Sequence, residues 1–463
     1  MTRLRHRLLP AGPALAVVLA LVACGTDAVV PTATPTASAA GSAPSDPSRS
    51  PSVAAIGDVQ PPPGSSSAIF APNPGQIVVA IEAGHGGCLD WGVPDPAERG
   101  PDHAEKAITM SIARALADRL AADGVRALLV RDGDEALAGD RYPPLSCDGA
   151  PFRDVNGDGV TGFGPDVPEG TRTRDELQAR LDLANLARVD VLVSIHVDSI
   201  TDGAGNLLPI ARTETFYTDE TPWGVPEAER LAASVQESLV ASMEAAADYE
   251  RQDRGINAHN LYIVAPPLVE PTDERPDPWR QPTRGALMPA ILVEVGTITL
   301  AEEHELLLSE AGSGAAADGI LDGLQAWFEQ RELAGRVTLD GEQPGAAPVA
   351  VEGDGPPFRA PALPDGPLRL RVTNTGTLAW DGGARLVAAW TAIDGPYRYG
   401  IPEDAAPIGP ELPPLEPGAS VTVEVPLPEP SSGEGLAWFS LSVETELLAD
   451  RGSPALQLIT GAP

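Results

Sequence analysis

Continuous runs of apolar residues, rich in valine and isoleucine, recur through the first two thirds of the chain. They occupy residues 77–81, 125–130, 191–195 and 291–293. Runs of this kind are typical of strands that are covered on both faces, as in a parallel sheet. Longer amphipathic segments separate them. The pattern therefore predicts an α/β domain with a mostly parallel sheet flanked by helices.

The segments between these runs have helical spacing. From Glu105 to about residue 120, apolar residues recur at steps of three and four, which places them on one buried face. Capping boxes at 173–176 and 299–302 predict the starts of two further helices. Another helix is predicted from about residue 226.

The last third of the chain has a different pattern. Apolar and polar residues alternate in 368–372, 384–390, 420–425 and 437–443, and clusters of proline and glycine separate these segments. This pattern predicts an all-β sandwich. Residues 372–376 through Trp380, with 414–418 later, resemble the immunoglobulin-like modules that bacteria append to surface enzymes. The resemblance implies such a module over residues 340–463, which would serve as a spacer or would bind the cell wall or a partner.

Chemically reactive side chains stand where the predicted strands end. His85 follows the first run, His196 ends the third, and Glu294 ends the fourth, while Glu105 opens the first helix. In parallel sheets the functional crevice lies at the carboxyl ends of the strands. A catalytic zinc site needs three protein ligands, an open position for water and a separate carboxylate that moves protons. Two histidines and two glutamates could supply the ligands and that carboxylate. The pattern predicts a metal-dependent hydrolase.

Five motifs in order resemble the zinc-dependent N-acetylmuramoyl-L-alanine amidases of bacterial cell walls. They are the Gly-His-Gly-Gly of 84–87, the Glu-Lys of 105–106, and residues 180–185, 194–196 and 292–296. The resemblance covers about residues 76–332.

The resemblance implies a role for each of the four side chains. His85, Glu105 and His196 would bind zinc. Glu294 would be the catalytic carboxylate that moves a proton from water to the leaving amine. The substrate would be peptidoglycan, cut between N-acetylmuramic acid and L-alanine.

Some features depart from the family or leave alternatives open. Glu82-Ala83 replaces the usual acidic residue and proline before the first Gly-His, and insertions of about 133–170 and 265–284 interrupt the domain. Loops of this length are often functional, so the insertions could narrow substrate choice. His103 is an alternative ligand, and His259, ahead of a predicted strand at 261–264, could line the cleft.

A second metal is suggested by the first insertion. Asp154, Asn156 and Asp158, followed by Gly159, match the first half of an EF-hand calcium loop. The glutamate expected at position 12 is absent, and Pro165 stands there. The alternative is an acidic turn without a metal.

The N-terminal segment has the character of an export signal. Arginines precede an apolar stretch that ends in Leu-Val-Ala-Cys at Cys24, which resembles a lipoprotein box. Residues 1–24 would be the signal peptide, and 25–75, rich in Pro, Ala, Ser and Thr, a disordered tether. The catalytic domain would then span 76–333. The alternative is a plain secreted protein with an uncleaved or differently cleaved leader.

Charge and cysteine content fit that compartment. The net charge is −35 and no basic stripe exists, which argues against nucleic-acid binding. Besides Cys24 the chain has only Cys88 and Cys147, and an even pair in an exported protein favours a disulfide. A thiolate zinc ligand is the alternative. At the level of function, the alternatives are a non-catalytic wall-binding lipoprotein and an exported amidohydrolase that acts on small muropeptides.

If Cys24 is lipidated, its replacement releases the protein from the membrane. We expect the Cys24→Ala variant to move from the membrane fraction to the soluble fraction, because the acyl chains that hold it can no longer be attached. Cell fractionation with immunoblotting measures this. An unchanged distribution would rule out the anchor.

Overall fold

The computed structural model describes residues 77–87, 90–138, 155, 174–219, 225–265, 285–340, 368–392, 405–425 and 435–460. Several predicted features lie outside these residues: the leader and tether, the capping residue at 173, and most of both insertions. Six residues with a predicted role also lie outside the described residues: Cys24, Cys88, Cys147, Asp154, Asn156 and Asp158. Predictions about them stay predictions.

A six-stranded sheet forms the centre of the N-terminal region. The strands are β1 (Val78–Ala83), β2 (Arg126–Leu129), β3 (Val191–Asp198), β4 (Ala211–Tyr217), β5 (Arg251–Ala258) and β6 (Ala290–Thr297). Their order across the sheet is β2-β1-β3-β6-β4-β5. The first four strands in this order are parallel, β4 runs antiparallel to β6, and β5 is parallel to β4. The prediction of a mostly parallel sheet is confirmed.

Among the described residues, five helices cover the two faces of this sheet. They are α1 (Glu105–Ala122), α2 (Arg174–Ala187), α3 (Val225–Ala245), α4 (Ala301–Leu308) and α5 (Glu310–Glu329). Odd-numbered residues of β1, β3 and β6 pack against α1, α3 and α5 in one apolar cluster. Even-numbered residues of the same strands pack against α2 in another. Burial on both faces explains why these strands are continuous apolar runs.

Two local predictions are wrong. Residues 261–264 form a turn in which the Val264 amide donates to the Leu261 carbonyl at 3.0 Å, and the strand is instead the preceding β5. The capping box at 299–302 is not formed, because α4 is preceded by Leu300 without a side-chain cap. Ser309 caps the next helix instead, accepting a hydrogen bond from the Gly312 amide at 3.1 Å.

The described part of the C-terminal region contains eight strands. They are β7 (Gly335–Leu339), β8 (Leu368–Asn374), β9 (Arg385–Ala392), β10 (Ala406–Pro407), β11 (Ser420–Val425), β12 (Gly435–Val443), β13 (Glu446–Leu447) and β14 (Leu456–Thr460). One sheet has the order β11-β8-β7, and the other has β10-β9-β12-β13 with β14 also paired to β12. Leu370 and Val372 of the first sheet and Leu386 and Phe439 of the second belong to one buried cluster. The region is β-rich, as its alternation predicted.

Buried charges connect the two regions. The Asp190 carboxylate, just before β3, accepts from the Val78 amide at 2.9 Å and from Arg336 Nη1 of β7 at 2.7 Å. Arg336 Nη2 also donates to the Arg188 carbonyl at 2.8 Å, and Arg188 Nη1 donates to the Val337 carbonyl at 3.3 Å. Strand β7 pairs with β8 in its own sheet, and these side-chain contacts also attach it to the amino-terminal ends of β1 and β3.

We expect Asp190→Ala to be strongly destabilising. Asp190 and Arg336 are both buried, and removal of one partner leaves the guanidinium uncompensated, which costs about 3–5 kcal/mol. The midpoint temperature of thermal unfolding should fall by several degrees. The control is Asp318→Ala, which removes an exposed ion pair with Arg119 and should cost no more than about 1 kcal/mol. Equal shifts in the two variants would contradict the importance of this junction.

Candidate active site

The sheet brings His196 and Glu294 side by side. They are register partners on the parallel strands β3 and β6, so their side chains project from the same face. The pairing shifts between His196 and Asp198, and such irregularities change the direction in which side chains project near active sites. His85 follows the end of β1, the other neighbour of β3. All three side chains therefore stand at the carboxyl ends of strands, as predicted from the sequence.

Glu105 joins the two histidines. Its Oε2 atom lies 3.1 Å from His85 Nε2, and its Oε1 atom lies 3.0 Å from His196 Nδ1. One ligand atom from each of the three residues falls within 4.8 Å of the others. The imidazole rings are 4.9 Å apart at 79°. The three predicted ligands therefore converge on one point.

Glycines allow this close approach. A Cβ atom on Gly84 would stand 2.4 Å from the His196 ring, and one on Gly92 would stand 2.4 Å from Glu105 Oε2. His85 itself has a φ of 62°, a left-handed conformation that is strained for a residue with a side chain. The backbone thus adopts an unfavourable conformation where it presents the first imidazole.

An outer layer of hydrogen bonds fixes the three side chains. Asp90 Oδ1 lies 2.7 Å from His85 Nδ1, on the side of the ring away from Glu105. The Val93 amide donates to Glu105 Oε2 at 2.8 Å, and the Val197 amide donates to Oε1 at 3.0 Å. Sequence reasoning missed Asp90, although an acidic residue five positions after His85 was a usable signal.

Beneath His196 lies a buried ionic network that was also missed. Glu82 Oε2 is 3.9 Å from His196 Nε2 and accepts from Ser194 Oγ at 2.5 Å, while Oε1 pairs with Arg180. Burial raises the pKa of Glu82, but the charges of Arg180 and His196 and the hydrogen bonds from Ser194 and Arg180 together outweigh it and hold that pKa below its ordinary value. Arg180 Nη2 also donates to the His85 carbonyl at 2.7 Å. A glutamate within an apolar strand was the sequence signal.

Opposing effects act on the histidine and glutamate pKa values. Burial lowers the pKa of His85, but Glu105 and Asp90 outweigh it and raise that pKa well above its ordinary value. Burial raises the pKa of Glu105, but the two histidines outweigh it and lower it. The carboxylate is therefore ionised, as a metal ligand must be.

Glu294 stands apart from this group. Its Oε2 atom is buried and has no hydrogen-bond partner among the described residues. Burial, followed by repulsion from Asp198 and Glu105, raises the pKa of Glu294 well above its ordinary value. On its other side Glu214 of β4 is its register partner. A carboxyl group in these surroundings accepts a proton more readily than an ordinary glutamate does.

The side chains fit a divalent metal. Two imidazole nitrogens and a carboxylate oxygen form a donor set that catalytic zinc sites use, and the second ring nitrogen of each histidine faces a carboxylate, Asp90 or Glu82. His103, the alternative ligand, does not belong to the group. His259 lies beyond β5 and contacts the Phe216 ring at 6.1 Å.

The comparisons with known proteins agree with this site. Residues 79–326 match the family model of the N-acetylmuramoyl-L-alanine amidases of type Amidase_3, and the chain belongs to that family. It is therefore a peptidoglycan amidase, a hydrolase of the bacterial cell wall.

Two proteins of Bacillus subtilis (strain 168) are similar in sequence. The uncharacterized protein YqiI is 24% identical over 252 residues, which are 54% of this chain and 85% of that protein. The germination-specific N-acetylmuramoyl-L-alanine amidase is 22% identical over 259 residues, which are 55% of this chain and 81% of the relative.

A solved N-acetylmuramoyl-L-alanine amidase of Clostridium difficile 630 is 24% identical with a TM-score of 0.36, covering 55% of this chain and 97% of that one. Within the described ranges, no helix has the length and apolar character needed to cross a bilayer.

We expect Asp90→Asn to weaken metal binding. The carboxylate fixes the orientation of the His85 ring and raises its basicity, and loss of such a partner typically costs 10–100-fold in affinity. Competition with a chelator, using zinc as the probe, measures the change. The matched control is Asp202→Asn, which alters hydrogen bonds only within the turn up to Asn206. Equal affinities in both variants would refute the role of Asp90.

Proposed function

We propose that the chain is a zinc-dependent N-acetylmuramoyl-L-alanine amidase that hydrolyses the amide between N-acetylmuramic acid and L-alanine. The main support is the convergence of His85, Glu105 and His196 beside an unpaired carboxyl oxygen of Glu294. A binding module needs ligands for its target but no spare general base. Three metal donors and a separate proton acceptor together are the parts of a hydrolytic site.

His85, Glu105 and His196 would hold the zinc, with Asp90 and Glu82 behind the two imidazoles. When bound, zinc lowers the pKa of water to about 7 and polarises a carbonyl oxygen. The protein contributes geometry: Glu105 is held by two backbone amides, so its two oxygens cannot rotate away from the histidines. Such support is what maintains an active arrangement.

Glu294 would move the proton. Oε2 has no hydrogen-bond partner in the described part of the chain, so it can take a proton from the attacking water and pass it to the departing amine nitrogen. The raised pKa keeps the carboxyl group able to carry that proton, while a cation beside it would act in the opposite direction. General acid–base catalysis of this kind contributes about 10²–10⁴-fold.

The location and accessory parts follow from the substrate and the sequence. Peptidoglycan lies outside the cell membrane, so we propose an exported enzyme with residues 1–24 as leader, Cys24 as lipid anchor and 25–75 as tether. We further propose that 76–333 is the catalytic domain and that 340–463 form an immunoglobulin-like sandwich. A disulfide between Cys88 and Cys147, and calcium at Asp154, Asn156 and Asp158, remain proposals from the sequence.

The test separates the ligand from the base. In Glu294→Gln, zinc should remain at about one ion per chain. Cleavage of the substrate amide should fall by about 10² or more, because the glutamine side chain cannot shuttle a proton. In Glu105→Gln both zinc content and cleavage should fall. Metal analysis and mass spectrometry of digested purified peptidoglycan give the two readouts. Glu305→Gln, at an exposed position, is the matched control.

Each contrary result has a definite meaning. Full activity in Glu294→Gln would refute the assignment of the base, and loss of zinc from it would mean that ligand and base are exchanged. If the wild-type protein binds peptidoglycan without cutting it, the non-catalytic alternative is correct. If it cuts soluble muropeptides but not intact peptidoglycan, the muropeptide alternative is correct.

A further inference from the structure

An exposed tryptophan stands directly beside the metal ligands. Trp91 is 38% exposed, and the large exposed apolar side chains of the described residues are Trp91, Leu207 and Leu378. It lies between Asp90, which contacts the His85 ring, and Gly92, which packs against His85 and Glu105. A large apolar surface exposed at an active site is typical of a ligand contact.

The indole is held in place rather than left free to rotate. The Trp91 carbonyl accepts from the Lys106 amide at 3.2 Å, and Lys106 Nζ lies 5.6 Å from the centre of the ring. That ammonium group is itself fixed by the Gly87 carbonyl at 2.7 Å and by Asp134 at 2.6 Å. An aromatic side chain ordered in advance loses little entropy when a ligand binds against it.

The opposite side of the site is polar. Beyond Glu294, strand β4 carries Arg212, paired with Asp198, and Glu214, which accepts from Asn257 Nδ2 at 2.6 Å. The order β1-β3-β6-β4 places the loop that carries Trp91 and these charged groups on opposite sides of His196 and Glu294. A substrate that runs across the strands, with its scissile amide between His196 and Glu294, extends one half toward each of these sides.

We propose that Trp91 is the contact for the sugar ring of N-acetylmuramic acid, on the acyl side of the scissile amide. The proposal rests on the proposed amidase function. A pyranose ring has a face of C–H bonds, which the negatively polarised face of an indole attracts. The stem peptide carries amides and charges, which match the polar groups of β4. The site would thus orient its substrate by an aromatic surface on one side and charges on the other.

Two substrates with the same amide separate this role from a structural one. The first is the soluble disaccharide tetrapeptide, and the second is the N-lactoyl tetrapeptide, which has the same scissile bond but no sugar. Trp91→Ala should lower kcat/KM on the first by about 3–10-fold, mainly through KM, and leave the second within about twofold. Trp91→Phe, which keeps an aromatic ring, should recover part of the loss. Leu378→Ala, another exposed apolar position, should change neither.

A binding measurement tests the contact between Trp91 and the sugar without relying on turnover. In the Glu294→Gln background, the disaccharide tetrapeptide should change the intrinsic tryptophan fluorescence, and Trp91→Phe should abolish that change. If wild type cleaves neither substrate, the amidase proposal fails, while this measurement still decides whether Trp91 contacts the sugar.

Two results would overturn the proposal. Equal losses of kcat/KM on both substrates, with lower zinc content or a lower unfolding temperature, would mean that Trp91 has a structural role through its contact with Lys106. A loss confined to the N-lactoyl tetrapeptide would place the peptide against the ring.

Discussion

The site depends on one carboxylate that contacts two imidazoles from different parts of the chain. Glu105 reaches His85 with one oxygen and His196 with the other, and the amides of Val93 and Val197 hold both oxygens. Because one residue at the start of α1 fixes side chains beyond β1 and on β3, the helix and the two strands must be correctly placed before the metal donors converge. Removing this carboxylate therefore affects both geometry and charge.

A buried network of charges around Arg180 lies next to the metal-binding residues. Arg180 of α2 pairs with Glu82 and Glu176 and donates to the His85 carbonyl. A buried guanidinium between two buried carboxylates is by itself weak evidence for stability, because the desolvation cost of the charges opposes their attraction. Its position is the more informative feature: it connects α2 to the strand end and to the strained backbone at His85. The network therefore supports the conformation of the first ligand rather than the fold in general.

The sequence predicted the parts of the fold that follow from burial periodicity, and little else. Strands β1, β2, β3 and β6 could be located because most are apolar on both faces, and β8, β9, β11 and β12 because they alternate, whereas β7, β10, β13 and β14 were not predicted. Strand β4 is rich in threonine and charged residues, and β5 is largely exposed at the sheet edge, so neither has a strong apolar signal. The contact of Asp90 with His85 depends on the path of a glycine-containing loop, which no periodicity encodes.

The junction between the two regions bears on the role of the β-rich part. Asp190 and Val78, which carry that junction, stand at the amino-terminal ends of β3 and β1, whereas His85 and His196 stand beyond or near their carboxyl ends. His196 lies six residue steps along the strand from Asp190, which corresponds to about 20 Å at 3.3 Å per residue. A region attached at that end by buried ion pairs does not cover the metal group from the position of its attachment. The contacts of β7 with Asp190 and Arg188 therefore lie at the end of the sheet opposite the metal group, which argues against a lid role for β7 itself.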